Sequence, residues 1–367
     1  MFIKKSLVAA LGALGTTLAL QAAAQVPAGY SADYAKIVEG AKKEGKVIVY
    51  AATDTKAAEP LIKDFSAMYP GVKVEYNDMN STEIYNRFIS EVAAGGATGD
   101  VLWSSAMDLQ IKLVADGYGM TYKSEEARAL PEWAIMNNSA YGTTFEPAVI
   151  VYNKRLVPPE DVPTTHAEFT KLMLTKGEKY KDKITTYDIE KSGVGFMFIT
   201  QDLTNQPAGF WEMAKALGSV GVRVQSSTGT MLERISSGEN LIGYNVLGSY
   251  ALVRAKKDAN IGVQILKDYT MVMSRVVFIS KTAKNPNASK LWLDYLLSKR
   301  GQTIIANDSK LYAIRADVTG ETTSADLSRQ IGAGLRPLPV NVSQLAYLDQ
   351  TKRLAFLKQW KEAAGKK

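Results

Sequence analysis

An α/β fold built on a parallel sheet is what the sequence predicts, and three observations lead there. Short apolar runs at 47–51, 72–76 and 100–103 read as buried strands. Helix-periodic stretches at 57–69, 80–92 and 106–115 follow them one for one, and strand–helix alternation implies parallel strands joined by crossover helices. Thr53, Ser81, and Ser104 with Ser105 fall where each strand gives way to its helix. In open α/β sheets that edge is where ligands bind.

Taken in order, the chain opens with a segment that reads as a secretory signal. Lys4 and Lys5 supply the charged start, 7–20 the apolar stretch, and Ala22-Ala23-Ala24 the small-residue cleavage pattern, with cleavage after Ala24. The apolar run is too short for a membrane span. A helix at 34–43 ends at Gly45, and Pro70-Gly71 makes a turn after the second helix. Gly95, Gly96 and Gly99 mark a loop. Residues 148–153 are extended, the three prolines in 156–163 make a loop, and 167–176 is helical. A strand at 183–187 precedes a helix from 194. Further helices are expected at 210–217 (ended by Gly218), 231–236 and 248–255, with strands at 222–224, 241–246 and 261–266. Residues 270–280 are extended. The helix at 286–298 has Leu291, Trp292, Tyr295 and Leu296 on one face, and helical patterns recur at 301–307 and 350–364.

Composition narrows the function. The 367 residues, 46% of them hydrophobic, suffice for one large or two medium cores. Lysine and arginine exceed the acids by 44 to 37, spread along the chain without a basic, aromatic-interleaved run, which argues against nucleic acid. Cysteine is absent, so disulfides, thiolate metal sites and cysteine nucleophiles are excluded. The single histidine, His166, excludes a multi-histidine zinc site and reads as a surface residue beside a Thr164 or Thr165 cap. No nucleophile–base pair stands out, so the protein is read as a non-enzyme without a cofactor.

The stretch 187–200 carries the sharpest signal. A strand turning on Ser192, Gly193 and Val194 into a helix presents free backbone N–H groups and the positive end of the helix dipole, a seat for an anion. A plain serine cap is the competing account. Ser227 and Thr228 before the helix at 231–236 offer a second such start. Asp188 would accept hydrogen bonds from a hydroxyl or amine, or be a turn residue. Glu146 has the same two readings. Asn245 and Tyr250 would line a cleft. Arg275 would grip a phosphate or carboxylate, or else pair with Asp268 or Glu146.

The segments 100–105, 146–154, Ser237-Gly238-Glu239, Asp268-Tyr269, 289–298 and Gly301-Gln302, in this order and spacing, resemble the periplasmic solute-binding proteins of ABC transporters. The similarity is to the group that binds ferric ion, sugar phosphates or phosphonates. It implies a two-lobed fold with two crossing strands, near 143–153 and 270–280, and a cleft between the lobes. Residues 25–145 with 276–367 would form one lobe and 146–275 the other. In the iron-binding relatives a Ser-Gly-x segment holds an anion beside a metal gripped by two adjacent tyrosines. Ser192-Gly193-Val194 matches the first feature. Tyr250 matches one tyrosine, but Ala251 stands at the second. The resemblance therefore implies a monomeric periplasmic carrier that captures a small anionic organic solute and delivers it to a membrane permease. Ferric iron, held in part by Tyr250, is the alternative.

Overall fold

In the computed structural model, which describes residues 26–365, strand and helix alternate from the start. The expected signal at 1–24 lies outside the described residues. After α1 (Tyr34–Glu44) come β1 (Lys46–Ala51), α2 (Thr55–Met68), β2 (Lys73–Asp78), α3 (Ser81–Ala93), β3 (Val101–Ser104) and α4 (Met107–Ala115). β1 lies between β2 and β3, parallel to both, with Lys46 opposite Lys73 and Val49 opposite Val101. Both faces of this sheet are covered, so Val47, Val49 and Ala51 are buried as an apolar run. α2 buries Ala58, Leu61 and Phe65 at helical spacing.

The chain continues through β4 (Ile135–Met136), β5 (Ala140–Gly142), β6 (Glu146–Asn153), α5 (His166–Thr175), α6 (Gly177–Tyr180), β7 (Ile184–Tyr187), α7 (Gly193–Asn205) and α8 (Phe210–Ser219). Next are β8 (Arg223–Gln225), α9 (Thr228–Ser237), β9 (Ile242–Leu247), α10 (Gly248–Lys257), β10 (Ile261–Gln264), β11 (Thr270–Met273) and β12 (Val276–Ile279). The last elements are α11 (Pro286–Leu297), α12 (Lys299–Asn307), α13 (Ser324–Ile331), β13 (Leu335–Pro337) and α14 (Gln350–Ala364).

Two sheets result, with orders β2-β1-β3-β12-β5-β4 and β13-β11-β6-β9-β7-β8, β10 pairing with β6 at the side of the second. The chain passes between them from β5 to β6 and back from β11 to β12. These two passages lie side by side and are stitched together: Thr143 N–H donates to the Arg275 carbonyl at 2.9 Å, and Arg275 N–H to Thr144 Oγ1 at 2.9 Å. The extended stretches read at 148–153 and 270–280 are therefore the crossings and their continuations. The fold is the expected two-lobed α/β architecture.

One core lies behind the first sheet, another behind the second, and a third takes residues from both. Behind the first, Phe65 meets Trp292 edge-on at 5.0 Å between ring centroids. There Asp294 is buried and accepts hydrogen bonds from Tyr34 (2.8 Å), Tyr122 (2.6 Å) and Ser124 (2.5 Å). Burial raises its carboxyl to about 6, and the three donors offset only part of that.

Three expectations are corrected. First, not everything after 276 belongs with the first sheet. β13 adds to β11 of the second, and α14 lies on α8, with Phe356 and Trp360 each 6.1 Å from the Phe210 ring. The apolar side of α8 needs a cover, and α14 supplies it. Second, Gly218 does not end α8; a Cβ there would lie 2.3 Å from the Ala363 carbonyl oxygen, so glycine admits α14. Third, His166 is buried rather than on the surface. Thr165 caps α5 as expected, while the His166 ring stacks on Tyr269 at 3.9 Å and its Nδ1 lies 3.0 Å from the Asp268 carboxylate.

Candidate functional site

Six helices begin around one cavity of about 350 Å³ between the two sheets. From the first-sheet side come the starts of α2 at Asp54, of α3 at Asn80 and Ser81, and of α4 at Ser105. From the second come those of α7 at Ser192 and Val194, of α9 at Ser227, Thr228 and Gly229, and of α10 at Leu247 and Tyr250. The convergence follows from topology. In parallel α/β units each helix starts where a strand ends, so the carboxyl edges of both sheets deliver helix N-termini to the gap between them. Each start brings unpaired N–H groups and a positive dipole end.

The polar side chains at these starts divide by what they already bond. Ser192 Oγ accepts from Gly195 N–H at 3.3 Å and Ser227 Oγ from Thr230 N–H at 3.2 Å, so both cap their helices. Asn80 caps α3 through Thr82 N–H at 2.9 Å. The hydroxyls of Ser81 and Ser105 have no hydrogen-bond partner among the described residues and line the cavity. They are the donors most open to a bound group. No lysine or arginine lines this cavity; its charged members are Asp54 and Asp78. Asp78 accepts from Thr55 N–H at 2.8 Å. The carboxyl of Asp54 is raised above its ordinary value by surrounding protein, an effect that nearby Arg275 partly offsets. Neutral donors beside two carboxylates suit a solute that carries an anionic group together with hydroxyl or amine groups.

Seven of the residues singled out in the sequence lie elsewhere; one of them, Gly193, packs against the first-sheet side. Arg275 and Glu146 are fully buried and bind each other, Nε to Oε1 at 2.8 Å and Nη2 to Oε2 at 3.2 Å. Arg275 also donates to Thr53 Oγ1 at 2.9 Å, and Glu146 accepts from Thr144 (2.8 Å) and from Ser249. The Arg275–Glu146 pair ties the two crossings together, and the other bonds anchor it to the β1–α2 loop and the start of α10, so the pairing reading holds in place of the ligand grip. Thr53 is consumed in the same network. Ser104 is buried and caps inward to Ala106 N–H at 3.2 Å. Asp188 sits on an outer surface groove, accepting from Glu190 N–H at 3.0 Å beside Lys191. Asn245 takes a left-handed conformation (φ 58°) and donates to the buried Asp202 at 2.6 Å, a backbone shape that asparagine tolerates.

Sequence reasoning missed Asp54, Asp78, Asn80, Tyr187 and Ser226 as cavity residues. The signal was available for most of them. Asp78 and Tyr187 are the last residues of β2 and β7, the same strand ends that singled out Ser81 and Ser192.

Tyr250 stands against the Arg275–Glu146 network. Its hydroxyl accepts from Asp54 N–H at 3.1 Å, its ring centroid lies 5.2 Å from the Arg275 guanidinium carbon, and burial raises its hydroxyl to about 12. Ala251 beside it is buried in the core.

Comparison with known proteins agrees with this architecture. The profile of the bacterial extracellular solute-binding proteins matches residues 60–329. The chain belongs to that family. No curated protein matches it. Among solved structures, it is 40% identical to the substrate-binding protein of an ABC transporter from Agrobacterium tumefaciens, covering 89% of this chain and 96% of that one with a TM-score of 0.83. The fold is shared at 19% identity with AfuA of Actinobacillus pleuropneumoniae in its fructose-6-phosphate-bound form (TM-score 0.72, 87% and 98% covered). It is shared at 16% with the apo ferric-ion-binding protein A of Pasteurella haemolytica (TM-score 0.69, 88% and 99% covered).

For a solute-binding protein, the contact between the two sides of the cleft is informative. A Cβ on Gly193 would lie 2.8 Å from Leu109 Cδ1, 3.1 Å from Ala106 Cβ and 3.2 Å from Ser81 Oγ, all on the first-sheet side. Glycine here lets α7 close onto α3 and α4. Gly193→Val is expected to weaken solute binding by about 1–3 kcal/mol, tenfold or more, because overpacking penalises only the closed form. Calorimetric titration checks this, and an unchanged affinity would contradict it.

A smaller crevice of about 230 Å³ beside Gly193 is lined by Asp108 of α4 and Arg353 of α14. Asp108 is 3% exposed, and burial raises its carboxyl to about 7; Leu109 N–H and the Arg353 charge counter only part of that. The folded protein therefore holds this proton above the unfolded value, so its contribution to stability declines as pH rises from 4 to 7 and is level beyond. We expect that loss to be about 2–4 kcal/mol and to vanish in Asp108→Asn, as read from denaturation midpoints across that range.

Proposed function

We propose that this protein is the periplasmic solute-binding component of an ABC importer, and that it captures an anionic organic solute, a phosphorylated sugar or phosphonate, for a membrane permease. It acts as a carrier, not an enzyme. One observation carries the reading: six helix starts and the unpaired Ser81 and Ser105 hydroxyls surround a cavity that also holds Asp54 and Asp78. The phosphate or phosphonate end takes the helix starts, where N–H groups and dipoles favour negative charge. The carboxylates receive the solute's hydroxyl or amino groups. The Agrobacterium relative is described as an ABC-transporter substrate-binding protein, and AfuA as holding fructose-6-phosphate, both in keeping with this assignment. Two lobes centred on the two sheets would close over the solute about the Thr143–Phe145 and Ser274–Arg275 passages.

Thermal unfolding against a panel of sugar phosphates, 2-aminoethylphosphonate, phosphate, citrate and ferric iron tests it. A cognate solute at about 100 times its Kd adds about 2.7 kcal/mol to stability. A rise with a phosphorylated or phosphonate compound supports the proposal. A rise with iron alone overturns it and makes Tyr250 the first candidate ligand.

A further inference from the structure

The inner cavity has a neighbour on the far side of Tyr250. Asp54, Gly229 and Tyr250 line both that cavity and an outer chamber of about 450 Å³. The two chambers differ in chemistry. The inner one has no basic residue, whereas the outer one is lined by Lys56, Arg254, Lys256, Lys257 and Lys310 against Asp54 and Asp308. Part of this charge is already matched: Lys256 and Lys310 both reach Glu321, at 2.7 and 3.0 Å, and Arg254 reaches Asp258 at 3.3 Å. Lys56 and Lys257 have no carboxylate partner among the described residues.

Two further features mark this chamber. Ser309 on its wall is 6% exposed, and its hydroxyl has no hydrogen-bond partner among the described residues. Lys310 holds a left-handed backbone (φ 58°), a conformation that L-residues with long side chains avoid and that the surrounding structure must enforce. The walls also come from both sides of the cleft: Lys56 from the start of α2 and the 308–310 turn after α12 on the first, α9 and α10 on the second. A group bound there would bridge the same two halves as one bound inside.

Resting on the anion-carrier reading above, we propose that the solute is elongated, with an anionic group at each end: one on the helix starts of the inner cavity, the other in the lysine-lined outer chamber, its body passing Tyr250. The inner end is held by fixed dipoles and neutral donors. The outer end meets mobile point charges, whose attraction is screened by salt.

Titration calorimetry with fructose 6-phosphate and fructose 1,6-bisphosphate tests the proposal on the intact protein. The expected result is that the bisphosphate binds about tenfold tighter at low salt, an advantage that shrinks once the Debye length falls to about 8 Å at physiological ionic strength. In Lys56→Gln/Lys257→Gln the ratio of the two affinities should fall to within about twofold, the partner charges having gone. If fructose 6-phosphate binds and the bisphosphate binds no tighter, or if the ratio survives both substitutions, the second anion seat is wrong while the carrier reading stands. If neither compound binds and the solute panel likewise shows no response to any phosphorylated compound, both fall together.

Discussion

Arg275→Met is expected to destabilise the protein by about 3–5 kcal/mol, because it leaves the Glu146 carboxylate charged, buried and without its partner. Both side chains are fully buried, and their pair joins the two passages between the sheets. Burial alone would push Arg275 toward neutrality; the Glu146 charge overrides that and raises the guanidinium well above its ordinary value. The loss appears in the urea midpoint. Arg275→Met/Glu146→Gln, which removes both charges, should recover more than half of it. If the single substitution costs under about 1 kcal/mol, the pair is not the structural tie described here.

Ser192→Asp is expected to weaken binding of a phosphorylated solute by at least about 100-fold, about 2.7 kcal/mol. Aspartate caps helices as well as serine does, so α7 should keep its start and the unfolding midpoint should move by less than about 1 kcal/mol. The new carboxylate stands where the solute's negative group is placed and repels it. Ser192→Asn keeps the cap without the charge and should bind within about tenfold of the parent. Equal losses in both variants would point to the hydroxyl itself, and no loss in either would move the anion away from α7.

Several of the residues in this cavity were legible one at a time. Ser81, Ser105, Ser192, Val194, Ser227, Thr228 and Tyr250 were singled out from strand ends and helix starts, and all seven line it. Arg275 and Glu146 carried the right chemistry for a ligand, but only the crossing of β6 and β11 brings them within bonding distance of each other across 129 positions. Asp188 lies one residue past β7, yet its side chain takes the outer groove. A turn of one residue reverses the face that a side chain reaches, and no local pattern encodes that reversal.

The sequence by itself determined the class of fold, the run of elements, the buried strands and the helix starts. Those depend on periodicity and capping, which act over a few residues. Tertiary structure alone decided that six starts face one cavity, that α14 covers α8, that His166 is buried against Tyr269, and that Arg275 ties the two passages between the sheets. Each of these joins residues far apart in the chain. Such contacts form because apolar faces must find cover and buried charges must find partners, and which partner is reached is set by how the whole chain packs.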